Sequence, residues 1–104
     1  MIVEQRDYHV ITGKLNELVA LYADEGIAIQ QEHLGGFVGA FTTDIGALST
    51  YTHMWAYPDF AARQARRAAL QAHPGWKAFL PKIQPLIHTQ QSRILVPTPF
   101  SPLK

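Results

Sequence analysis

The sequence predicts an α+β domain in which a four-stranded antiparallel sheet carries helices on one face. Three observations lead there. Strand-type and helix-type hydrophobic periodicities follow one another along the 104 residues in the order β-α-β-β-α-β. A hydrophobic content of 47% with 11% aromatics suits one globular core rather than two domains or a disordered chain. Breakers fall between the periodic segments, at Gly13, Gly35-Gly36, Pro58 and Pro74-Gly75.

Residues 2 to 11 predict the first strand, because β-favouring Ile2, Val3, Tyr8, Val10 and Ile11 run up to a Thr12-Gly13 turn signal. Its middle is polar, with Glu4, Arg6 and Asp7. From Lys14 onward, Leu15, Leu18, Val19 and Tyr22 fall at i, i+3, i+4 and i+7 and draw one apolar stripe along a helix. Gly26 predicts a kink or a frayed turn, after which Ile27 and Ile29 continue the stripe to the paired glycines of "HLGG", a natural C-terminal stop. "FVGAFTT" predicts the second strand, "DIG" at 44 to 46 a turn, and "ALSTYTHMWAY" at 47 to 57 the third strand. These two strands should form a hairpin.

Pro58 ends the third strand, and the Asp59 carboxylate can accept from the unpaired amides that open a helix. "FAARQARRAALQA" supplies that helix. His73-Pro74-Gly75 separates it from a further one, in which Trp76, Phe79, Leu80 and Ile83 repeat the helical spacing and Pro81 should introduce a bend. After Pro85, "HTQQSRILV" predicts the last strand, and residues 97 to 104, with three prolines, an extended tail. One domain therefore spans residues 1 to 104. Its element order is the ferredoxin-like pattern.

Nine Lys and Arg against eight Asp and Glu leave a net charge of +1, too little for the field that non-specific nucleic-acid binding needs. The chain has no cysteine, which excludes disulfides, thiolate nucleophiles and zinc-thiolate sites and suits a reducing cytoplasm. Charges at Glu4, Arg6 and Asp7 interrupt the N-terminal segment where a signal peptide would be apolar, and no apolar run reaches membrane-spanning length. The expectation is a soluble, unprocessed cytoplasmic chain with neither nucleic acid nor membrane as partner. A chain this short buries only about two-thirds of its unfolded surface, so a leftover apolar face favours pairing with a second copy.

Several stretches resemble the NIPSNAP family: "HLGGFVGAFTTDIGALSTYTHMWAYPDFAARQARRAAL", "HPGWKAFLPKIQPLI" and "SRILVPTPFSP". The most specific pieces are Arg6-Asp7-Tyr8, "HLGG", the turn Ile45-Gly46-x-Leu48, and the row His53-x-Trp55-x-Tyr57. The resemblance covers nearly the whole chain. It implies a dimeric α/β barrel, with two ferredoxin-like protomers placing their open sheet faces together and their helices outside. Pro81 departs from the family's usually regular helix, and there is no N-terminal extension like that of the mitochondrial members.

In such a barrel neither face of the sheet meets solvent, so both rows of "TYTHMWAYPDF" have a reason. Small Thr52 and Ala56 around flexible Met54 fit beneath helices, which assigns Tyr51, His53, Trp55 and Tyr57 to the barrel interior. His53 could serve as a general base or donate to a ligand oxygen; the competing role is a core histidine satisfied by a carbonyl or a tyrosine hydroxyl. Arg6, a guanidinium in mid-strand, must find an anion, a carbonyl or a carboxylate, and Glu4 two residues away on the same face is the structural partner competing with a ligand.

His53 and Arg6 are thus the candidate catalytic pair, with Tyr8, Trp55, Tyr57 and Arg93 as candidate ligand-binding residues. The five histidines form no local ligand spacing, so neither a metal nor another cofactor is implied. Arg63, Arg66 and Arg67 read as a solvated helix face. Two functions compete: a homodimeric small-molecule-binding or structural module, and an enzyme of the cofactor-independent monooxygenase kind. In the second, His53 would deprotonate an activated phenol or enol and Arg6 would stabilise the anion that reacts with dioxygen.

Overall fold

β1 (Ile2–Val10) lies inside the sheet, antiparallel both to β3 (Thr50–Tyr57) and to β4 (Ile87–Leu95), while β2 (Phe37–Thr42) pairs with the outer edge of β3. The computed structural model describes residues 1–104. The strand order β2-β3-β1-β4 is that of the predicted ferredoxin-like sheet. A polar-centred strand can occupy an interior position because one of its rows is covered and its charges are paired there. Ile2, Glu4, Tyr8 and Val10 are all buried on that row.

The first helical region is α1 (Leu15–Leu21), a π-helical turn (Tyr22–Gly26) and α2 (Ile27–Leu34). Where the sequence predicts a kink or a frayed turn at Gly26, the helix runs on through that irregular π turn. Gly26 lets the Phe79 ring lie against the backbone, where a Cβ would stand only 2.6 Å from the ring. The extra residue of the π turn accommodates that contact and leaves Tyr22 buried at 3% exposure. β3 begins at Thr50 rather than Ala47, because Ser49 takes a φ of 58° and its carbonyl already accepts from the Val10 amide at 2.7 Å.

Asp59 caps α3 (Phe60–Ala72) as its chemistry predicted, accepting from the Ala62 amide at 2.8 Å, a contribution of about 1 kcal/mol. His73 does the same for α4 (Pro74–Ile83): its Nδ1 accepts from the Gly75 amide at 3.0 Å, and Pro74 occupies the first turn, where no donor is missed. Pro81 is held within α4, which passes through a 3-10 turn (Gln84–Leu86) into β4.

The faces of β3 are the reverse of those assigned from sequence. Tyr51, His53, Trp55 and Tyr57 are buried beneath the helices, and Thr52, Met54 and Ala56 lie half-buried on the open face. Filling the space between sheet and helix layers takes large rings, and these join Leu18, Tyr22, Leu34, Leu70, Phe79 and Ile83 in one core. The C-terminal tail has no regular structure. Its Pro97, Ser101 and Leu103 border a small groove with Val3, Met54 and Leu95 on the open face.

Candidate functional site

Strand alternation brings Glu4, Arg6 and Tyr8 of β1 onto the covered face in one row. Glu4 is 0% exposed, and its carboxylate is fully engaged. Arg63 of α3 grips it with two bonds, Nε to Oε1 at 3.1 Å and Nη2 to Oε2 at 2.8 Å; Ser92 Oγ donates at 2.6 Å and Arg6 Nη1 at 3.2 Å. Burial pushes its pKa up, but the hydrogen bonds from Arg63 and Ser92 and the charges of Arg6 and Arg63 outweigh it and hold it at about 2. The three arginines of α3 are therefore not a plain solvated face. Arg63 neutralises a buried charge, and Arg66 Nη1 donates to the Leu34 carbonyl at 3.1 Å, closing the end of α2.

Arg6 pairs with Glu4 as its spacing allowed, and its Nε also donates to the Tyr8 hydroxyl at 3.1 Å. That uses two of its five donors. Directly across the strand pair from Arg6 stands His53, 0% exposed. Its Nδ1 lies 2.9 Å from Trp55 Nε1, and an indole N–H can only donate. The neutral ring therefore carries its proton on Nε2. Burial first, then the Arg6 charge, lower the His53 pKa to about 3, with Glu4 and Asp7 pulling weakly the other way. At neutral pH it has no free lone pair with which to act as a base, and what remains is an Nε2–H donor.

That donor has no protein partner, and neither do the buried hydroxyls of Tyr22 and Tyr57. Around His53 stand the rings of Tyr8, Tyr51, Tyr22 and Trp55, with centroids 5.0, 5.1, 6.0 and 6.2 Å away. Burial, followed by Tyr8 and Tyr51, raises the Tyr22 pKa well above the phenolic range, so this group stays neutral. His53 thus sits in an aromatic box that keeps it uncharged.

Beside the box, between the β1-β4 half of the sheet and helices α2, α3 and α4, lies a cleft of about 330 Å³. Arg6, Tyr8, His88 and Gln90 are among those from the sheet, Gln30 comes from α2, Arg67 and Gln71 from α3, and Trp76, Leu80 and Ile83 from α4. Of the residues singled out in the sequence, Arg6 and Tyr8 line it. His53, Trp55 and Tyr57 share the covered face but do not line it. Arg93 is on the opposite face, 3.7 Å from Asp7, whose carboxylate also accepts from Thr52 Oγ1 at 2.7 Å; β4 alternation puts Arg93 and Ser92 on opposite sides, so Arg93 cannot meet Arg6 at one ligand within the chain.

Gln30, Arg67 and Trp76 are among the lining residues that sequence reasoning passed over as site residues. Two of them leave a signal. Gln30 falls at i+3 from Ile27 and four before Leu34, a polar residue in a core stripe, and Arg67 follows Arg63 by four, so both point toward the sheet.

Comparison with known proteins agrees with the fold and sets the kinship. A NIPSNAP family model matches residues 3–102. Protein NipSnap homolog 1 of Danio rerio is 36% identical over 103 residues, and the putative NipSnap protein K02D10.1 of Caenorhabditis elegans 35%; each match takes in 99% of this chain but only 36% and 19% of the relative. The chain thus spans between 19% and 41% of the length of the curated relatives it matches. A crystal structure of a NIPSNAP family protein from Agrobacterium tumefaciens superposes with a TM-score of 0.97 at 47% identity, covering 99% of this chain and 98% of that one. More distantly, a putative antibiotic biosynthesis monooxygenase from Nitrosomonas europaea gives a TM-score of 0.69 at 11% identity over 93% of this chain and 98% of that one, a likeness of fold alone. With the family model matched along nearly its entire length, the chain belongs to the NIPSNAP family.

Proposed function

We propose that the chain acts as a homodimeric small-molecule-binding module that receives its ligand in the cleft between sheet and helices. The observation that carries this reading is the cleft itself: a concavity of about 330 Å³ in which an apolar wall from α4 faces a largely polar lining that includes Arg6, Gln30 and Arg67. That volume is at the low end of the range of roughly 300 to 1,000 Å³ common for ligand sites. The two tryptophans provide an internal test. Trp76 lines the cleft, whereas Trp55 is sealed and hydrogen-bonded to His53. In a ¹H-¹⁵N spectrum recorded against a fragment library, binders are expected to shift the Trp76 indole signal and leave that of Trp55 in place. A library that moves neither signal would remove the reading.

The homodimer belongs to the same proposal. One face of the sheet has no helix on it, and Phe41 on that face is 55% exposed while Leu95 is 37% exposed. A second copy laid against this face would give Asp7, Thr52 and Arg93 a covered position as well. Sedimentation equilibrium should return the mass of two chains; a single-chain mass independent of concentration would contradict it. Residence in the cytoplasm is part of this reading too. The absence of cysteine supports it, and no helix is long and apolar enough to cross a membrane.

The oxygenase alternative has less support. It requires a base at His53, and the Trp55 indole occupies the lone pair that a base would use.

A further inference from the structure

The cleft has an electrostatic imbalance that narrows what can fill it. Two guanidiniums line it, Arg6 and Arg67, and no carboxylate does. Glu4 cannot make up the difference, because its two oxygens already take four hydrogen bonds from Arg63, Ser92 and Arg6. Arg6 keeps its Nη2 donors after serving Glu4 and Tyr8. Arg67, half-buried on α3, has neither a hydrogen bond nor an ion pair to the protein. An unpaired, part-exposed guanidinium on the cleft wall keeps all five of its donors available to an incoming anion.

The wall along α4 describes the rest of the ligand. Trp76, Leu80 and Ile83 along α4 form an apolar wall, which a fully polar ion would leave unused.

We infer that the cleft takes a small organic acid, with its carboxylate held by Arg6 and Arg67 and an apolar or aromatic body against α4. This rests on the ligand-binding reading above and names the class of ligand within it. Arg67 is the residue of choice for testing, since it supports nothing else in the protein. Arg6 is not, because its loss would disturb the Glu4 network.

The experiment is a titration of the full chain, by calorimetry and by the Trp76 indole signal, with phenylacetate, 4-hydroxyphenylacetate, the neutral isostere phenylacetamide and inorganic phosphate. The acids are expected to bind at least tenfold more tightly than the amide. Arg67→Gln should cost the acids at least tenfold and leave the amide unchanged, with the Trp55 signal in place as proof of folding. Equal binding of acid and amide, or acid affinity indifferent to Arg67→Gln, overturns the inference, as does phosphate binding as tightly as the acids. If neutral fragments shift Trp76 and acids do not, the inference alone falls; if nothing shifts Trp76, the ligand-binding reading falls with it.

Discussion

Alanine at Gly36 is expected to lower the melting temperature by about 12 °C or more, or to leave the chain unfolded, in a melt followed by near-UV circular dichroism. Gly36 has a φ of 52°, which costs an L-residue about 1 to 2 kcal/mol. The added Cβ would stand 2.1 Å from the Ala56 carbonyl oxygen. That oxygen is backbone in β3 and cannot rotate aside, and the Ala56 amide is itself bound to the Gly36 carbonyl at 2.7 Å. Relief would require β2 to leave β3. Strain and clash together come to about 3 kcal/mol or more, at roughly 4 °C or more per kcal/mol for a domain of this size. Gly13, with a φ of 87° and nothing within 4 Å, is the control: alanine there should cost only the strain. A Gly36→Ala protein melting as little below the parent as Gly13→Ala would show that the close approach does not constrain the fold.

The role of "HLGG" as a helix stop was legible because it is local: the chain needs residues that leave the helix, and two adjacent glycines supply them. The contact with Ala56 was not, since it depends on the pairing of β2 with β3. The same division runs through the molecule. Element order followed from periodicity, and the Asp59 cap from residue chemistry, both properties of a few neighbouring residues. Which row of β3 the helices would cover is a tertiary decision. Tyr51, His53, Trp55 and Tyr57 have the same alternation on either face, and the choice falls to packing against Tyr22 and Phe79.

Site residues divide in the same way. Arg6 was conspicuous because a mid-strand charge needs an explanation within the strand itself, and its Glu4 partner is two residues away. Arg67 and Gln30 carry polar groups on otherwise core-facing helix stripes, a sign visible only when a helix is read for exceptions to its pattern. Arg93 was grouped with Arg6 for its charge, but strand parity sends it to the open face. Composition could not separate the two arginines; register could.

Glu4→Gln is expected to lose about 3 kcal/mol of stability at pH 7 in urea unfolding, because removing one partner of a buried ion network leaves the others uncompensated. An amide is the wrong shape of charge here: one acceptor oxygen becomes an NH₂ facing the donors of Arg63, Ser92 or Arg6. The pH dependence gives an independent reading of the same energy. The Glu4 carboxyl falls from the ordinary 4.5 to about 2 in the folded protein, so the unfolded chain takes up its proton first as pH drops. The carboxylate's contribution is therefore complete above about pH 4.5 and disappears as pH falls through about 2. Its size is about 2 to 3 kcal/mol after allowance for solvent around Arg63, whose side chain is 28% exposed. The gap between parent and Glu4→Gln should hold from pH 7 to about pH 5 and narrow toward pH 2. Removing both charges, as Glu4→Leu with Arg63→Met, should recover part of the loss that Glu4→Leu alone produces, since Arg6 is then the one guanidinium left without its carboxylate. A gap below 1 kcal/mol at pH 7, or one that does not change with pH, would mean that the carboxylate is solvated and that Arg63 reaches it without holding the helix to the sheet. In that case a solvated Glu4 would also lie free to neutralise Arg67, and the cleft would lose the charge surplus on which its preference for an acid depends.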